Sequence, residues 1–256
     1  MRKKIINRNH KVEKLEKKEL NGLIDMLSRI DTKINYSNFF GNPNVGGKIT
    51  NLITLNNVPV RVINERINFI FNMFLSNGYT VDDAKAFINN NPIIVERDIE
   101  SIKFNYLMLN FIASKASINV IDLIDSNRNN DTILLNDSSN IYGIYSIICD
   151  MFITHGYDQN EVIEYIVNNK DILKLSIDKL LNKLVIFKES GKLETIFFEY
   201  PSILTENISE KELYEEETKT SLKNVSYIEL KKHLDLLKND FINNLHNNSE
   251  QLVLRK

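Results

Sequence analysis

The residues most suggestive of chemistry form one run, Gly41-Asn42-Pro43-Asn44-Val45-Gly46-Gly47-Lys48-Ile49-Thr50. A glycine-rich turn ending in lysine has the composition of a phosphate-binding loop, where backbone N–H groups wrap the phosphate and the lysine meets its charge. That chemistry requires four residues between the first glycine and the Gly-Lys pair, followed by a hydroxyl that holds magnesium. Here an extra glycine intervenes, and Ile49 stands where the hydroxyl is needed. Asn169-Lys170-Asp171 falls one residue short of a guanine-reading motif. No alternation of strand and helix patterns follows to build the parallel sheet on which such loops sit. The run reads as a Gly/Asn loop, and no cofactor is expected.

The other reactive side chains are dispersed. The histidines are His10, His155, His233 and His246, and none has a second His, Cys or carboxylate at ligand spacing on a shared helix face. No metal site is therefore expected. Cys149 is the single cysteine, which excludes an intramolecular disulfide and a cysteine-built metal site. It falls on an apolar helix face and reads as a core thiol. No serine has nucleophile-elbow form. Asp82, Asp83, Glu161 and Glu164 read as first-turn carboxylates favoured by the helix dipole. No catalytic residue emerges, and the expectation is a protein that is not an enzyme.

An internal repeat positions these residues. Met73-Phe74-Leu75-Ser76-Asn77-Gly78-Tyr79 returns 78 residues later as Met151-Phe152-Ile153-Thr154-His155-Gly156-Tyr157. The echo runs on through Ile88/Ile166, Asn90-Asn91/Asn168-Asn169, Ile94/Ile172 and Ile99/Ile177, with nine of 27 positions identical, which points to an array of helical units. Ile63, Ile67, Ile70, Phe71 and Phe74 recur at helical spacing, and Gly78 suits a left-handed C-terminal cap. Thr80 with Asp83, and Asp158 with Glu161, give the second helices matching N-caps. Val81, Ala84, Phe87 and Ile88 read as an inward stripe, and His155, aligned with Asn77, as a carbonyl cap. Phe74, Phe111, Phe152 and Phe187, spaced by 37, 41 and 35 residues, mark about four units.

A helix closing on Phe-x-x-x-Gly-Tyr, a second helix, then Asn-Pro-Ile-Ile or Tyr-Pro-Ser-Ile-Leu resembles the repeats of mitochondrial transcription termination factors. The resemblance covers approximately residues 59–204. It departs at Lys115, in place of Gly, and at Asp131 and Lys170, in place of Pro. It implies units of two helices and a short third turn stacked into a curved solenoid, with DNA or RNA gripped through its phosphates. The cations that would do so are Arg97, Lys103, Lys179, Lys183 and Lys188, with Lys174 nearby. Lys179, Lys183 and Lys188 approximate helical spacing and could form a stripe. Arg2, Lys3, Lys4, Arg8 and Lys11 would add a basic arm. Residues 1–19 carry +5 and residues 60–204 carry −6. Each phosphate contact needs a nearby cation, so the acidic repeats leave open an alternative, a protein-binding adaptor or inhibitor using the solenoid surface.

The fold expected is all-α: a right- or left-handed solenoid of about four helix-turn-helix repeats with a C-terminal capping helix. The 43% apolar content suffices for a core, while 8 Gly and 4 Pro are too few turn formers for a many-stranded β protein. The boundaries read as a basic arm at 1–19, a helix and Gly/Asn loop at 20–58, the repeats at 59–204, a polar linker at 205–225, and a helix and tail at 226–256. In the last segment Tyr227, Leu230, Leu234, Leu237 and Phe241 form a short a/d seam, expected to cap the last repeat. No apolar run approaches the roughly 18 residues of a membrane span, and no signal peptide opens the chain. A cytoplasmic protein without a membrane partner is expected, its oligomeric state open.

Overall fold

The computed structural model describes Lys48, Asn56 and residues 58–124, 131–222 and 225–254. The basic arm with Arg2, Lys3, Lys4, Arg8 and Lys11, and most of the Gly/Asn loop, lie outside the described residues. Among the described residues every regular element is helical, so the chain is all-α. It divides into two compact units, one of residues up to Leu107 with Asn119–Leu135, the other of Met108–Ile118 with residues from Asn136 onward.

In the first unit, α1 (Val60–Ser76) packs on α2 (Val81–Asn90), and both close on a 3-10 turn, Pro92–Glu96. The apolar spacing explains this core. Ile63, Ile67, Ile70, Phe71 and Phe74 line one face of α1 and are buried with Ala84, Phe87, Ile88, Ile94 and Val95. Val81 is the exception to the expected stripe; it is 40% exposed because the α2 face that turns inward begins at Ala84. Helix α3 (Ile99–Ala116) gives its first half to this unit, which α4 (Val120–Ile124) and a 3-10 turn at Ile133–Leu135 complete.

The second unit repeats the plan. Helix α5 (Ser138–Thr154), α6 (Gln159–Asn168) and a 3-10 turn (Lys170–Lys174) are followed by α7 (Ile177–Glu189) and a π-helical turn (Thr195–Glu199). Then come α8 (Ser202–Thr205), α9 (Glu210–Thr218) and α10 (Tyr227–Leu254). Helix α9 packs on α7, and α10 lies along α5 and α7. The segment read as a polar linker thus contains a helix. Ser209 and Glu212 form a reciprocal capping box at its start, and Leu213 is buried. The same Ser-x-x-Glu signature at Ser226 and Glu229 starts α10. Leu230, Leu234, Phe241 and Leu245 of α10 are buried in the unit's core. Each such burial is worth about 1.5–3 kcal/mol against exposure. The seam differs from the one expected. Tyr227 is exposed and Leu237 half-buried, while Lys238 takes the inward place four residues after Leu234.

The long helices begin at Val60, Ile99, Ser138 and Ile177, 39 residues apart each time. Their ends share one geometry. Tyr79, Ile118, Tyr157 and Lys192 donate backbone N–H bonds to the carbonyls of Phe74, Ala113, Phe152 and Phe187, at 2.8–3.1 Å. The residues just before these donors, Gly78, Ser117, Gly156 and Gly191, have positive φ. This is the Schellman closure, which satisfies orphan carbonyls only if one residue turns left-handed. It corrects the alignment of Phe111. The equivalent of Phe74 is Ala113, with Ser117 in the glycine position that the sequence reading assigned to Lys115.

Candidate functional site

Within the second unit Lys179 and Lys188 are exposed while Lys183, between them on the same helix, is buried. Lys183 is 3% exposed, and its ammonium donates to the carbonyls of Ile203, Leu204 and Glu206 at 3.3, 2.8 and 2.6 Å. Burial pulls its pKa down, with the Lys179 charge adding to the effect. Its ammonium thus caps the carbonyls at the α8 end and is not presented on the surface with Lys179. Lys183 stands seven residues into its helix, as Arg66 and Asn105 do in theirs, and those side chains bind the carbonyls of Val95 and Leu134. Lys103 is 2.8 Å from Glu100 and 3.9 Å from Glu65. The Arg97 guanidinium donates to the Leu135 carbonyl. Lys174 is paired with Asp171 at 2.8 Å, and the Lys188 ammonium lies 5.4 Å from the centre of the Phe241 ring. Lys179 stands exposed on α7.

A different grouping faces solvent at the turn between α5 and α6. The closure at Gly156 places Tyr157 against Phe152, ring centroids 5.2 Å apart, just as Tyr79 lies against Phe74 at 5.8 Å. His155 and Asn77 cap equivalent carbonyls, His155 Nδ1 at 2.7 Å from Met151 O and Asn77 Nδ2 at 2.7 Å from Met73 O. The expected cap is therefore made. The Met151 carbonyl accepts from Nδ1–H, and on the other side of the ring Nε2 lies 3.3 Å from Glu194 Oε1. The π-helical turn adds a residue to its loop and so divides two consecutive phenylalanines. Phe197 points inward and is fully buried, while Phe198 is half-buried over the α5–α6 turn.

The result is two tiers of rings. An inner tier of Phe152, Tyr165 and Phe197 is fixed by stacking of Tyr165 on Phe197, 5.1 Å apart, and by a 2.8 Å bond from the Tyr165 hydroxyl to the Phe197 carbonyl. An outer tier has Phe198 at 5.0 Å from His155 and 5.3 Å from Tyr157. In the first unit the Tyr79 hydroxyl donates to Asp122 at 2.9 Å. Tyr157 is 39% exposed, and among the described residues its hydroxyl meets no partner. Glu194 at His155, Asp158 next to Tyr157 with its capping partner Glu161, and Glu199 next to Phe198 are exposed, and the Lys192 ammonium is held by Glu217 at 2.9 Å. Sequence reading missed this grouping; the Phe197-Phe198 doublet was its only signal.

The nearby thiol takes no part in chemistry of this kind. Burial pushes Cys149 up to about 11, so it is protonated at neutral pH and weakly nucleophilic. Burial likewise raises the neighbouring Tyr145 phenol. Among the described residues no three His, Cys, Asp or Glu side chains come together as a metal site, and no helix is long and apolar enough to cross a membrane. No family model matches the chain, and no curated protein or solved structure matches it.

Proposed function

We propose that the chain is a non-enzymatic helical-repeat binding protein whose units form a solenoid, and that it docks a protein partner at the outer aromatic tier. The observation carrying this reading is the contrast between Tyr157 and Tyr79. The repeat plan ties the Tyr79 hydroxyl to Asp122, whereas its copy presents a ring and a free hydroxyl to solvent beside Phe198. Exposed aromatic side chains on a rigid base are the usual anchors of protein interfaces. The cations named for phosphate contact within the repeats are meanwhile mostly engaged by carbonyls, carboxylates or a ring. The reading is tested by placing a photo-crosslinking amino acid at position 157 or at Leu236, an equally accessible α10 residue. A discrete protein adduct is expected from position 157, lost on Phe198→Ala and missing at 236. Equal or absent crosslinking at both positions would sink it.

The second reading is nucleic-acid binding, as the resemblance to mitochondrial transcription termination factor repeats implies. The +5 charge of residues 1–19 supports it, and Arg97, Lys179 and Lys188 are exposed repeat cations that could extend that charge.

A further inference from the structure

We infer that the outer tier formed by His155, Tyr157 and Phe198, with Glu194 at its rim, accepts an arginine side chain from a basic segment of the partner. The inference rests on the protein-docking reading and specifies the chemistry of what docks. The Tyr157 ring, 39% exposed, lies beside the half-buried Phe198 ring, tilted by 44° with centroids 5.3 Å apart, so solvent-facing aromatic surface is concentrated at this point. Aromatic faces are negative, and they attract a cation held within about 6 Å of the ring centre. A planar guanidinium suits such a site better than an ammonium, because it stacks on one ring while its N–H fork reaches a carboxylate.

The charge around the tier points to the same occupant. Glu194 is 76% exposed at its side chain, with one carboxylate oxygen near His155 Nε2 and the other free to accept from a ligand. Asp158 next to Tyr157, its capping partner Glu161, and Glu199 next to Phe198 share its sign, and Lys192 is paired with Glu217. An acidic or apolar segment would meet repulsion or gain nothing from this rim, whereas a basic one is drawn to it. The unbonded Tyr157 hydroxyl supplies an acceptor at the same edge.

The test titrates the full chain into a fluorescein-labelled peptide of alternating glycine and arginine, and into its counterpart with citrulline at every arginine. Citrulline keeps the shape and removes the charge. Saturable binding of the arginine peptide is expected, with affinity falling about tenfold or more for citrulline and for each of Tyr157→Ala, Phe198→Ala and Glu194→Gln. Tyr157→Phe should keep most of the affinity, and Lys179→Gln should leave it unchanged. Binding that ignores all three site substitutions would be general attraction to an acidic protein and would overturn the inference. No peptide binding, with the adduct at position 157 still formed, would overturn it while sparing the docking reading. Failure of both would remove both.

Discussion

At Gly78, Ser117, Gly156 and Gly191 the backbone turns left-handed with φ of 84°, 57°, 84° and 70°. A Cβ built on the three glycines would meet nothing within 4 Å, so a side chain there suffers only the intrinsic cost of that conformation. Gly78→Ala should therefore lower stability by about 1 kcal/mol, and Ser117→Gly should raise it by up to about 1 kcal/mol. Urea denaturation of the pair tests the shared closure; two changes of the same sign would contradict it. The two buried lysines differ in sign. Lys183, desolvated among carbonyls, has a lowered pKa. Lys238 is also desolvated, but its hydrogen bonds to Asp178 and Asp235 outweigh burial and the net shift is upward. A raised ammonium stabilises fully below the unfolded value of about 10.4 and loses that contribution as pH climbs through the higher folded value. The stability difference between wild type and Lys238→Gln should thus be constant near pH 8 and shrink above about pH 10.5. Lys183 works the other way, since its unfavourable contribution disappears as the amine deprotonates. Lys183→Gln should consequently change the alkaline slope in the opposite sense, as chemical denaturation across that range would reveal.

Helix α7 has 13 residues where α1 and α5 have 17, one turn fewer, which shortens the Phe152 to Phe187 spacing to 35 while leaving helix starts 39 apart. The lost turn coincides with a different second helix, a π-helical turn in place of the ten-residue α2 and α6, and this turn puts Phe198 beside Tyr157. Helix α5 meets the start of α7 through Gly143. A Cβ there would sit 2.3 Å from Ile177 Cδ1 and 2.9 Å from its Cγ1. Gly143→Ala should cost about 1–2 kcal/mol by overpacking, even though alanine is the better helix former. Ile177→Val removes the closest atom, so the double variant should recover part of that loss. A thermodynamic cycle with strictly additive effects would show that the two helices separate freely at this crossing.

Over the whole chain, charge decides between the two binding readings. If nucleic acid is the ligand, affinity should fall steeply with salt, and deletion of residues 1–11, with Arg2, Lys3, Lys4, Arg8 and Lys11, should remove much of the slope. Fluorescence anisotropy with duplex and single strands at low and moderate salt measures it; no binding at low salt would leave the protein-docking reading alone. The sequence by itself determined the helical class, the 78-residue echo, the capping boxes at Thr80 and Asp158, and the left-handed glycines. The caps and the left-handed glycines depend on residues within about one turn of each other, where local backbone chemistry dominates, and the echo repeats that local chemistry in a second copy. Half that period, 39 residues, separates Val60 from Ile99 and Ser138 from Ile177, but the Phe111 register concealed it because Ser117 carries no glycine signature. Tertiary packing alone decided the fate of the lysines. Helical spacing places Lys179 and Lys183 near one face, yet which of them is buried depends on the carbonyls at Ile203, Leu204 and Glu206, some twenty residues away. The same holds for Lys238 displacing Leu237 and for Phe198 turning outward. A side chain's period states that a face exists, and only the elements brought against it state what that face meets.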